Sequence, residues 1–154
     1  MSCGAGNSVQ PCDFMSCHVF AWQIQACPTS LLTVKILQAR NITVGDLLSG
    51  ADCYVSLRLP TASKEEVKTE TIKNSSVPVW NETFYFMIQR QVKNILELRI
   101  YDEDPLTKDD LLFTVLFDVG EVKPGETFLV NFILNSEVQH LPHIFVSYYS
   151  ERGL

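Results

Sequence analysis

From Leu31 onward the apolar residues recur every second position, and this alternation is the strongest constraint on the fold. Leu32, Val34 and Ile36 alternate with Thr33, Lys35 and Leu37. The same rhythm returns in Val55, Leu57 and Leu59, in Phe84, Phe86 and Ile88, and in Leu96, Leu98 and Ile100. It continues through Phe113, Val115 and Phe117, then Phe128, Val130 and Phe132, then Ile144, Val146 and Tyr148. Side chains of a strand point alternately to opposite faces, so period two reads as half-buried strands, whereas a helix shows period 3.6. A weaker, polar strand is expected over Lys68–Ile72, at a sheet edge, and a turn of helix over Gln89–Asn94. Turn residues separate the runs at Pro60, Asn74-Ser75-Ser76, Asp104-Pro105 and Pro124-Gly125. Roughly eight short strands at such spacing predict an antiparallel β-sandwich.

The 154 residues suit one domain with its own core, and no apolar run reaches the roughly 18 residues that span a bilayer. The net charge of −6 argues against nucleic acid as a partner, because phosphate binding wants a basic face. The five cysteines, Cys3, Cys12, Cys17, Cys27 and Cys53, are odd in number and hold no C-x-x-C pair, which points to reduced thiols rather than a disulfide framework or zinc. Met1–Val34 contains no Lys or Arg, so it lacks the basic start of a secretory signal. Residues 1–27 are expected to form a poorly ordered leader, with the folded domain over 28–154.

Two loops break the alternation with carboxylates. The first, Ile42–Ala51, leads into Asp52-Cys53-Tyr54 and carries Asp46 and Asp52, six residues apart. The second, Asp102–Asp110, holds Asp102, Glu103, Asp104, Asp109 and Asp110 against a single Lys108. Asp-rich loops also arise as ordinary solvated turns. Five carboxylates in nine residues repel one another, however, and a hard cation with flexible oxygen coordination relieves this best. Asp102 and Asp104 are two apart on an extended chain and so face the same way. Asp46, Asp52, Asp102, Asp104 and Asp110 account for −5 of the formal −6, so the acidity is local.

These residues resemble a C2 domain over about Leu31 to Tyr149. The paired Asp46 and Asp52 ahead of Tyr54 match its first calcium loop, and Asp102, Asp104 and Asp110 match its third, with Asp110 rather than Asp109 in the motif position. Pro78-Val79-Trp80-Asn81-Glu82-Thr83-Phe84 matches the Pro-x-Trp-Asn-Glu-x-Phe motif between them. The strings Asp46-Leu47-Leu48, Gln91–Leu98 and Tyr101–Asp104 are similar to the N-terminal C2 domain of cytosolic phospholipases A2, of the delta, epsilon and beta kind. The resemblance implies an eight-stranded antiparallel C2 sandwich of permuted topology and two bound Ca²⁺. It implies Asn74 as a further ligand, and Cys53 stands where a Pro is common.

The resemblance further implies calcium-dependent binding to phospholipid membranes, with Val44, Leu47, Leu48 and Leu106 as inserting tips. Arg58, Lys64, Lys68 and Lys73 could add attraction to anionic lipid. A cytoplasmic monomer that moves to membranes with calcium, joined to a C-terminal lipase domain, is the expected setting. The alternative is a calcium-independent protein-interaction C2 domain. The lipase nucleophile motif Gly-x-Ser-x-Gly is absent from the sequence, so no catalytic residue and no enzyme activity are expected of this chain. His18, His140 and His143 are read as surface residues, the last two in a turn around Pro142.

Overall fold

The computed structural model describes residues 29–43, 50–120, 122–123, 125–134 and 142–152. The expected leader and the candidates Val44, Asp46, Leu47 and Leu48 lie outside the described residues.

Among the described residues, nine strands build two antiparallel sheets: β1 Thr29–Arg40, β2 Ala51–Arg58, β3 Val67–Lys68, β4 Ile72–Ser75, β5 Val79–Gln89, β6 Ile95–Asp102, β7 Asp110–Asp118, β8 Thr127–Ile133 and β9 His143–Arg152. One sheet runs β5-β1-β9-β8, and the other runs β3-β2-β6-β7 with β4 also on β2. The inward residues are those the alternation selects. Leu32, Val34 and Ile36 of one sheet join Val55, Leu57, Leu96, Leu98 and Ile100 of the other in one core. Burying a side chain of this size contributes roughly 1.5–3 kcal/mol. Phe117 closes one flank, its ring centroid 4.8 Å from Phe132 and 5.7 Å from Tyr148.

The edge strand differs from the expectation. It is two short strands, β3 and β4, rather than one over Lys68–Ile72, and this turns the expected eight into nine. Thr69 is the cause. Its N–H donates to the Val55 carbonyl at 2.9 Å, and its hydroxyl oxygen accepts the Val55 N–H at 3.0 Å. A side chain thus replaces one rung of the ladder, and the chain is released toward the other sheet. There the Glu70 carbonyl accepts the Trp80 indole N–H at 3.0 Å, and the Glu70 N–H donates to the Glu82 carboxylate at 2.9 Å. The Trp motif therefore joins the two sheets at β5.

Gln89–Asn94 contains a turn rather than helix. The buried Asn94 amide donates to the carbonyls of Gln89 and Val92 at 2.8 and 2.9 Å, and its oxygen accepts the Thr61 hydroxyl at 2.7 Å. These bonds take up the carbonyls a helix would have used. His143 is likewise not in a turn but is the first residue of β9.

Candidate cation-binding loops

The acidic residues gather at one end of the β4-β2-β6-β7 layer. Asp52 is the second residue of β2, and its neighbour Cys53 pairs with Asp102 across the ladder. Asp102 in turn pairs with Asp110, the first residue of β7. The Asp52 N–H donates to Asp102 Oδ1 at 2.7 Å, and the Glu103 N–H donates to the Asp52 carbonyl at 2.8 Å. On the other side, Asp52 Oδ1 accepts the Asn74 N–H at 2.7 Å. Asn74 has a positive φ of 48°, a conformation Asn tolerates because its short polar side chain does not crowd the backbone. Gly50 makes the approach of the two backbones possible: a Cβ there would lie 2.6 Å from the Asn74 carbonyl carbon and closer still to the Ser75 nitrogen.

The structure thus brings Asp52, Asn74, Asp102 and Asp110 together on adjacent strands. Asp104 stands slightly apart, in a closed turn. Its Oδ1 accepts the Leu106 N–H at 2.9 Å and its Oδ2 the Thr107 hydroxyl at 2.7 Å. The Thr107 hydroxyl and then the Leu106 N–H hold the Asp104 carboxyl below its ordinary value. Leu106, at the tip of this turn, is 92% exposed.

Sequence reasoning missed Asp109 and its tie to Tyr54. Asp109 Oδ2 accepts the Tyr54 hydroxyl at 2.7 Å, and its Oδ1 accepts the Asp104 N–H at 3.2 Å. The Tyr54 bond, then the Asp104 N–H, lowers the Asp109 pKa. Tyr54 is buried, stacked on Tyr101 with ring centroids 5.2 Å apart, and Lys68 Nζ sits 4.8 Å from its ring centroid. Motif matching passed over Asp109 because Asp110 fills the motif position. The visible signal was Tyr54, two residues after Asp52, a phenol in a buried strand that needs an acceptor. Cys53, under the acidic end, has its thiol pushed up to about 12, first by burial and then by the charges of Asp102 and Asp52.

The donor set is all oxygen, which suits a hard divalent cation. Asp52 and Asp102 each commit one oxygen to a backbone N–H, and the second oxygen of each takes part in no hydrogen bond among the described residues. Among the described residues alone, no three acidic, His or Cys side chains converge closely enough to hold a metal. The matching loop residue, Asp46, lies outside them.

Among the described residues, a two-layer antiparallel sandwich carries Asp52, Asp102 and Asp110 on adjacent strands at one end, with Asn74 tied to Asp52. The family model for the C2 domain matches residues 30–134, and the chain belongs to that family. Among its relatives, it is 56% identical to mouse cytosolic phospholipase A2 delta over 120 residues, 78% of this chain and 14% of that protein. It is 48% identical to human cytosolic phospholipase A2 beta over 109 residues, 71% of this chain and 14% of that protein. The structure superposes on that of human GIVD cytosolic phospholipase A2 with a TM-score of 0.77 at 46% identity, covering 84% of this chain and 17% of the other. The chain therefore corresponds to a small part of these relatives' length.

Proposed function

We propose that this C2 domain is a membrane-targeting module that docks on phospholipid when calcium rises. The observation that carries this reading is the Asp52–Asp102 pair with the Asn74 backbone tied to it, which gathers three strands at one end, while the turn that follows Asp102 carries the exposed Leu106. Asp46, Asp52, Asn74, Asp102, Asp104 and Asp110 would hold the cations, two Ca²⁺ in this reading. Bound there, Ca²⁺ would offset the carboxylate charge and offer a coordination position to a lipid phosphate oxygen.

The protein's own part is positioning. The hydrogen bonds among Asp52, Asp102 and Asn74 fix the strand ends before any ligand arrives. The Asp104 turn presents Leu106 outward, and Val44, Leu47 and Leu48 are assigned to the partner loop as further apolar tips. A buried leucine contributes about 1.5–3 kcal/mol, so three such tips dominate docking once the like charges are neutralised. Arg58, Lys64 and Lys73, all exposed, would add attraction to anionic lipid.

In this reading the chain is a cytoplasmic monomer that moves to membranes and has no catalytic role of its own. Lipid hydrolysis would belong to a lipase domain following it, as the length of the phospholipase relatives suggests. The test is co-sedimentation with phosphatidylcholine and mixed anionic vesicles, with calcium and with a chelator. Binding that needs calcium supports the reading. Equal binding in chelator, or none in either, favours the alternative of a calcium-independent protein-interaction domain.

A further inference from the structure

A second feature lies on the outer face of the β5-β1-β9-β8 sheet, away from the acidic loops. Cross-strand register places Arg40 of β1 directly opposite His143 of β9, and His143 opposite Ile133 of β8. In the next outward row Phe145 stands opposite Asn131. The Arg40 guanidinium carbon lies 5.3 Å from the Phe145 ring centroid. The His143 ring is 6.3 Å from the same ring, and its Nδ1 is 3.1 Å from Asn131 Oδ1. Lys35 lies further down the same face of β1, opposite Ser147.

The charge distribution here runs against that of the chain. The sequence has 18 acidic and 12 Lys and Arg residues, yet the described residues on this half of the face include no carboxylate. Glu151 sits at the opposite end of the sheet, beside Leu31. Neither Lys35 nor Arg40 is ion-paired among the described residues. Arg40 and His143 stand directly opposite one another on adjacent strands, so one anion can accept hydrogen bonds from both. Phe145 lies against the Arg40 guanidinium, and Arg40 is exposed.

Position identifies the anion. Arg40 ends β1 where the chain enters the first acidic loop, and Ile42 N–H donates to the Ser76 carbonyl at 3.1 Å, so this end of β1 is tied to the Asn74 loop. Arg40 therefore lies at the same end of the sandwich as the Asn74 loop. We infer that Arg40 and His143, backed by Phe145, form a second membrane contact that takes the phosphate of an anionic phospholipid headgroup independently of the calcium loops. This rests on the docking reading and adds to it a headgroup preference set by the opposite sheet.

The test uses the whole chain, at fixed saturating calcium, on vesicles of phosphatidylcholine alone and of phosphatidylcholine mixed with phosphatidylserine. Arg40→Gln and His143→Gln are compared with Lys93→Gln, an equal charge change in the β5–β6 turn at the far end. Arg40→Gln is expected to weaken binding to the mixed vesicles by about fivefold, the size of one cation near an anionic surface, and to leave phosphatidylcholine binding unchanged. His143→Gln should lose less, and Lys93→Gln nothing. The inference is overturned if Arg40→Gln binds mixed vesicles as wild type does, or if Lys93→Gln loses as much, since bulk charge would then explain the effect. A change in sedimenting mass without a change in vesicle binding would assign the face to a second copy and also overturn it. Wild type that binds neither vesicle overturns the docking reading itself, whereas docking unaffected by Arg40→Gln leaves that reading standing.

Discussion

The Tyr54 hydroxyl donates to Asp109 Oδ2 at 2.7 Å, a bond between residues 55 apart in sequence. The other oxygen of Asp109 holds the Asp104 N–H. A phenol rooted in β2 thereby fixes the loop that follows β6. Tyr54→Phe keeps the ring stack on Tyr101 and removes only this tie. The variant should fold and melt cooperatively but bind Ca²⁺ more weakly, by a factor on the order of three, as expected for a lost positioning hydrogen bond. Calorimetric titration of wild type and variant checks this. Equal affinities would remove Tyr54 from the site.

The same tie sets a pH dependence. Asp109 is held below its ordinary 3.8 by the Tyr54 hydroxyl and the Asp104 N–H. A carboxylate whose folded pKa is depressed contributes stability that is fully present above its unfolded value and is lost as pH falls through the folded one. The melting-temperature gap between wild type and Tyr54→Phe should be constant near neutrality and close below about pH 4. Thermal melts from neutral to strongly acidic buffer read it directly, and a gap that persists in acid would assign the difference to packing.

The ligand assignment separates neighbours. Asp52→Asn and Asp104→Asn should each lower calcium affinity by more than about tenfold, since each removes charge from a shared site. Asp110→Asn should weaken it too. Asp109→Asn should behave like Tyr54→Phe, a modest loss through loop position. In wild type, millimolar calcium should raise the melting temperature by linkage to the native state, and Mg²⁺ should do much less. A melting curve that calcium does not move would count against the whole set.

Leu47, Leu48 and Leu106 offer no side-chain oxygen, so their joint replacement by Ala should leave calcium affinity in solution unchanged. Membrane affinity should still fall by several kcal/mol, at about 1.5–3 kcal/mol per leucine removed from lipid. Remaining binding should be electrostatic and therefore weaken with salt, whereas insertion of apolar surface is not screened. Vesicle binding of both proteins at low and high salt provides the comparison. Unchanged binding to neutral vesicles would remove these leucines from the docking surface.

The strands whose inward residues meet a second sheet were legible in sequence, because burial on one face imposes period two. Leu32, Val34 and Ile36, and Leu96, Leu98 and Ile100, are fully buried as the alternation requires. The broken edge was not legible, because the side chain of Thr69 takes over a backbone rung and leaves no periodic trace. Nor was the Asn94 turn, whose closing bonds belong to a side chain. At the candidate site, the resemblance to a C2 domain puts Asp52, Asp102 and Asp110 in one set, and strand pairing makes them neighbours. The role of Asp109 depends on a partner 55 residues away, which no local pattern contains. The Arg40–His143 pair is hidden likewise, since the sequence around Pro142 reads as a turn and only strand register sets His143 opposite Arg40.

The first and last strands lie side by side, and their register has a mechanical consequence. Ser30 pairs with Arg152 at one end of the ladder, and Arg40 pairs with His143 at the other. Both flanks of the domain therefore leave from the end away from Asp52 and Asn74. A pull between them loads the rungs one at a time, from Ser30 inward, instead of loading the whole ladder in shear. The domain should unzip at low force when stretched through its flanks, and its loop end should be the last part of this pair to come apart.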